Sequence, residues 1–141
     1  MSKLLQRLSD ASKSGVYRAS GAEAVLEATR GSALRVARMD PAGVRDQEAL
    51  LERIAGALHF PSWFGGNWDA LEDCLTDLSW ARAGGYVLLF EEAGNLPADE
   101  AGILVDVLAS AAAHWAGRGT PFFAVFIGAQ AALPALYRDR A

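Results

Sequence analysis

"GGYVLLF", residues 84–90, sets five consecutive apolar side chains, Tyr86 to Phe90, behind a pair of glycines. No polar residue marks a solvent-facing side, so a strand of this composition is buried on both faces, as strands are in a parallel sheet covered by helices. "PFFAVFIG", residues 121–128, repeats the pattern. Between the two, "PADEAGILVDVLASAAAHWAGRG" opens with Pro97 and Asp99, sets Ile103, Leu104, Val107 and Leu108 on one side and stops at Gly117, which predicts a helix. A strand, a helix and a second strand make a parallel crossover unit.

Working upstream, "LRVARM", residues 34–39, alternates apolar and basic residues like a short strand, and "DPAG" then turns the chain. "RDQEALLERIAGALHF" follows with Leu50, Leu51, Ile54, Ala57 and Leu58 at helical spacing. Pro61 is expected to end that helix, Gly65-Gly66 to permit a tight change of direction, and Asn67 to N-cap another helix running to about Ser79. The order β-α-α-β-α-β implies an α/β fold: a small three-stranded parallel sheet packed with helices. Residues 1–33 offer "SGVYRAS" as an extra N-terminal edge strand and "GAEAVLEATR" as a helix, while the tail "AQAALPALYRDRA" suggests a short terminal helix. No linker separates these parts, so one domain over 1–141 is expected.

With 141 residues, 52% apolar and 21% charged, the chain can bury a substantial core. No stretch approaches the roughly 18 apolar residues of a membrane span, and "MSKLLQRLSD" lacks the apolar centre of a signal peptide, so a cytoplasmic protein without a membrane partner is expected. Cys74 is the single cysteine, which excludes an internal disulfide; on a helix it reads as a small core residue.

Charge is distributed unevenly. Between Arg53 and Arg82 the only basic residue is His59, whereas Asp69, Glu72, Asp73 and Asp77 supply four negative charges, the whole of the net −4. Direct nucleic-acid binding through such a surface is disfavoured, because phosphate recognition needs Lys and Arg at the contact. A cationic partner is indicated. On the expected helix, Trp68, Leu71, Leu75 and Leu78 form an apolar stripe, and Asp69, Asp73 and Asp77 a separate row flanked by Thr76 and Glu72. The bland reading is a solvated acidic face. The adjacent glycine turn and the Trp63-Phe64 pair favour a protein contact instead, since a partner can approach closely there and stack on an aromatic ring.

Other readings are weaker. A metal site built from Asp69, Glu72, Asp73 and Asp77 would draw all its ligands from one helix, whereas converging coordination needs several elements. A phosphate cradle at "FGGN" lacks the Walker spacing and would place Asp69 against the anion. His59 and His114 are far apart with no nucleophile motif near either. No catalytic residue, metal ligand or cofactor is therefore assigned, and the chain is not read as an enzyme.

"WFGGNWDALEDCLTDL", residues 63–78, resembles the signature segment of the barstar family of intracellular ribonuclease inhibitors: an aromatic pair, Gly, any residue, Asn, a hydrophobic residue, Asp-Ala-Leu, any residue, Asp-Cys-Leu-Thr. The similarity runs back through Pro61, Leu58, Ile54 and Leu50, and the later β-α-β order agrees, so that 34–128 form a barstar-like core with 1–33 as an N-terminal extension. What the resemblance implies is a protein that binds and blocks the cationic active site of a ribonuclease. Asp69 and Asp73 would then occupy phosphate positions there, Trp63 would pack near the catalytic histidine, Gly65 and Asn67 would shape the contact loop, and Thr76 would sit at its edge. Phe64 and Glu72 complete the expected partner-binding set. Trp63 and Phe64 stand where the family pattern has tyrosines, Gly66 where it has an acid, and Glu72 where it has a tryptophan; "SAAAH" occupies the region of a further acidic contact on the last long helix. The implied partner is an extracellular-type or toxin ribonuclease with a basic active site, bound by a chain that is a monomer when free and acts as an immunity protein. The alternative is a module of the same fold that recognises a basic non-nuclease protein.

Overall fold

The computed structural model describes residues 2–128 and 132–137. Its sheet has four parallel strands, β1 (Gly15–Ala19), β2 (Leu34–Met39), β3 (Gly85–Phe90) and β4 (Phe122–Ile127), in the order β1-β4-β3-β2. The sheet is therefore four-stranded rather than three-stranded, because the N-terminal segment joins as an edge strand on β4, with Gly15 opposite Phe123 and Ala19 opposite Ile127. Five helices accompany it: α1 (Lys3–Leu8), α2 (Glu23–Thr29), α3 (Gln47–Ala57), α4 (Trp68–Leu75) and α5 (Ala98–Gly117).

Both central strands are buried along their whole length. Side chains alternate across a strand, and the packing follows. Tyr86, Leu88, Phe90, Phe122, Ala124 and Phe126 face a core built from Leu50, Leu51 and Ile54 of α3, Leu71 and Leu75 of α4, and Leu104 and Leu108 of α5. Val87, Leu89, Phe123, Val125 and Ile127 face the other way, onto Leu8 of α1, Val25 of α2 and Leu136. Residues 2–33, with Leu136, thus cover one face of the sheet.

Glycine opens β3 for a steric reason: a Cβ on Gly85 would lie 2.6 Å from Leu34 Cδ2 and 3.2 Å from the Pro121 carbonyl. A side chain there would have to displace the Leu34 side chain and press on Pro121.

Three expectations change. Ile103, grouped with Leu104, Val107 and Leu108 on one side of α5, is exposed, while those three are buried with Ala101, Ala111 and Ala112. α3 ends at Ala57, before Pro61: His59 adopts the left-handed conformation and the Phe60 amide donates back to the Ala55 carbonyl at 2.9 Å, a Schellman closure with His59 in the usual glycine place. Within the tail, residues 132–137 form no helix, Ala135 instead making an isolated bridge to Arg18; residues 129–131 and 138–141 lie outside the described residues.

Candidate protein-binding face

The acidic segment begins where α3 hands the chain over to α4. Phe64 donates its amide to the Pro61 carbonyl at 3.1 Å, Gly66 takes φ of 73°, and Asn67 caps α4 by accepting the Ala70 amide on Oδ1 at 2.7 Å. The cap satisfies one of the amides that a helix start leaves unpaired. Gly66 is needed for its left-handed backbone, whereas a Cβ on Gly65 would meet only ordinary contact, 3.5 Å from the Ala70 methyl.

α4 has only eight residues, Trp68–Leu75. Leu71, Cys74 and Leu75 are buried, and Asp69, Glu72 and Asp73 are exposed. The expected helix to Ser79 is cut short: Thr76 is its C-cap and Leu78 turns left-handed at φ 50°, which keeps the Leu78 side chain in the core. Asp77 therefore leaves the helical row and sits in the turn. The Thr76 hydroxyl is spent on the backbone, donating to the Glu72 carbonyl at 2.8 Å. From the other side of the core, Trp115 Nε1 donates to the Leu75 carbonyl at 2.7 Å, so α5 anchors the last turn of α4.

Among the described residues the ion pairs are Arg30–Glu27 and Arg38–Glu91, and neither involves the acidic segment. Asp69 gains from the positive end of the helix dipole; Glu72 and Asp73, beyond the first turn, gain little. The face holds unneutralised carboxylates on a rigid support. Cys74, beneath it, is fully buried, and burial together with the Asp73 and Asp77 charges pushes its thiol up to about 11, so it stays protonated and inert at neutral pH.

The aromatic pair divides. Phe64 is half-buried, edge-on to Phe60 at 5.0 Å. Trp63 is 59% exposed and stands edge-on to Trp80 at 6.0 Å. Trp80 is itself fixed by a hydrogen bond from Nε1 to the Leu58 carbonyl at 3.1 Å and by an edge contact with Phe60 at 5.8 Å. An exposed indole on an immobilised neighbour is a preorganised contact.

A groove of about 640 Å³ runs beside the glycine turn, with Leu51, Ala55 and Phe64 at its apolar side and Glu48 and Glu52 of α3 on its rim. These two acids extend the negative surface and lie just before the Arg53–Arg82 stretch in which the sequence concentrates its negative charge. Their i,i+4 spacing in "QEALLE" was the available signal. Trp80 and Trp115, which support the face, carry no local signal, because their partners are 22 and 40 residues away. The structure thus places Trp63, Phe64, Gly65, Asn67, Asp69, Glu72, Asp73 and Thr76 on one continuous loop and helix, with Phe64 turned partly inward and Asp77 apart from the row. No group of three or more metal-ligating side chains converges among the described residues, and none of their helices is long and apolar enough to cross a membrane.

The family model Barstar (barnase inhibitor) matches residues 34–127. No curated protein matches the chain. Among solved structures, one of Drosophila ORC bound to DNA is similar at a TM-score of 0.54 and 15% identity, over 90% of this chain and 36% of that one. At that identity the likeness is one of fold alone, and this chain spans about a third of the length of the other.

Proposed function

The chain belongs to the barstar family, and on that premise we propose that it is an inhibitor that binds and blocks the cationic active site of a ribonuclease through α4 and the loop before it. The observation that carries this reading is the set of exposed carboxylates Asp69, Glu72 and Asp73, without ion pairs, on a helix fixed from behind by its cap and by Trp115. A ribonuclease cleft must hold a polyanion, so when empty it carries cations without counterions. Carboxylates one helical turn apart can satisfy such cations with charge-assisted hydrogen bonds and exclude RNA. The negative field also steers the two proteins together; the general case of electrostatic steering is itself drawn from barnase and barstar.

On this reading Asp69 and Asp73 are the ionic anchors, Trp63 the aromatic one, and Phe64, Gly65, Asn67, Glu72 and Thr76 complete the contact. The partner is an extracellular-type or toxin ribonuclease, captured in the cytoplasm by a monomeric immunity protein whose residues 1–33 extend the same domain. The test is RNA cleavage by barnase and a panel of other small basic ribonucleases, titrated with the purified chain. Stoichiometric loss of cleavage by one of them supports the proposal. A tight complex with a basic protein that cleaves no RNA, with every ribonuclease unaffected, would favour the alternative of a non-nuclease partner.

A further inference from the structure

The pocket at the end of α4 has the opposite sign to the face beside it. Of about 460 Å³, it lies between the turn after α4 and the end of α5, and Arg82, His114 and Arg118 line it together with Ser79 and Thr120. Among the described residues Asp77 is the one carboxylate in its lining. Neither Arg82 nor Arg118 makes an ion pair or side-chain hydrogen bond within the described residues. Each keeps five N–H donors for a ligand.

The pocket wall is rigid. Tyr86 is buried with its ring 5.5 Å from that of Trp115, and Trp115 is held by its bond to Leu75. Burial raises the Tyr86 phenol above its ordinary pKa, opposed first by a hydrogen bond with the Ala83 backbone and then by the Arg35 and Arg82 charges.

We propose that this pocket binds a phosphate group carried by a small molecule. Two arginines and one aspartate give the lining a formal charge of +1. A phosphate monoester carries about −1.5 to −2 and offers three strong acceptor oxygens. Guanidinium forks engage such oxygens bidentately, and the Ser79 and Thr120 hydroxyls supply neutral donors. A single carboxylate, with one charge and two oxygens, would leave much of this donor set unused. None of the anchors Trp63, Asp69 and Asp73 lines the pocket, and Thr76 is the one residue it shares with the proposed contact, its hydroxyl already donated to the Glu72 carbonyl.

The experiment is a titration of the full chain with inorganic phosphate at fixed pH, followed by two-dimensional amide NMR, with a sodium chloride titration of equal ionic strength beside it. Saturable shifts confined to the Arg118 and Thr120 amides and the Trp115 indole are expected, absent with chloride. Arg82→Ala and Arg118→Ala should each weaken binding about ten-fold, the loss of one charged hydrogen-bonding group. Arg30→Ala, at an exposed arginine paired with Glu27, should leave it unchanged. Shifts that do not saturate, that appear equally with chloride, or that survive both pocket substitutions at unchanged affinity would overturn the assignment.

Discussion

The indole of Trp115 donates to the Leu75 carbonyl across 2.7 Å, tying the longest helix of the protein to the last turn of the short acidic one. Three acids share an eight-residue helix that has no basic residue in its last turn, so isolated helix formation is unfavourable. Tertiary support compensates. Trp115→Phe keeps an aromatic side chain but removes the donor and the pyrrole half of the indole, and should cost at least about 1–2 kcal/mol in chemical denaturation. Hydrogen exchange in residues 72–78 should accelerate more than in β3.

Asp73 and Asp77, four residues apart, should behave differently. Asp73 is on the exposed face of α4, whereas Asp77 is off the helix beside Arg82 and Arg118. For a ribonuclease that the chain inhibits, Asp73→Ala should weaken binding by about 2–5 kcal/mol, because cations stay buried and unpaired in the cleft. Asp77→Ala should cost about 1 kcal/mol or less. Calorimetry on both variants checks this, and equal small losses would remove Asp73 as an anchor. Association measured by stopped flow should slow as salt rises, since screening acts over about 8 Å at physiological ionic strength.

Trp63→Ala should lower affinity by about 2 kcal/mol or more while leaving the melting temperature nearly unchanged, as expected of an exposed aromatic anchor. Trp80→Ala should instead destabilise the free protein by about 2–4 kcal/mol, because Trp80 packs against Phe60 and Trp63 and satisfies the Leu58 carbonyl. Thermal unfolding of both variants alongside inhibition assays separates the two roles.

Removing residues 1–33 should do more than shorten the chain. Leu8 and Val25 cover Val87, Leu89, Phe123 and Val125, and β1 pairs with β4. The truncated protein should bind a hydrophobic dye and aggregate, although it retains the segment matched by the family model. A monomeric, cooperatively melting 34–141 fragment would show that this face needs no cover.

Stability should fall as pH rises from 9 towards 11. The Cys74 thiol is raised from 9.0 to about 11 in the folded chain, so in that window the unfolded state releases a proton that the native state retains. Below pH 9 the thiol is protonated in both states and contributes no slope. Tyr86, raised by burial, adds to the same trend. Denaturant midpoints of the wild type and Cys74→Ala across this range should converge as the pH increases.

The strands and most of the helices were legible because their signals are local. Continuous apolar runs mark β3 and β4, and Asn67 after two glycines marks the start of α4. The end of α4 was not legible. Apolar spacing carries through to Leu78, yet the helix stops three residues earlier, and Leu78 reaches the same core through a left-handed turn that its β-carbon disfavours. Burial of that leucine, a tertiary gain, offsets a local cost.

The candidate face divides along the same line. Residue order alone determined that Asp69, Glu72 and Asp73 would lie close together, since a helix spaces neighbours by a fixed rotation. Which ring of the Trp63-Phe64 pair faces solvent, that Asp77 belongs to a basic pocket, and that Glu48 and Glu52 continue the acidic surface were decided by packing of Phe60, Trp80, α3 and α5 against the loop. Those contacts join residues that are distant in the chain, and no local period encodes them. The physical reason is that propensity acts over a few residues, whereas burial selects among conformations by the whole surface removed from water.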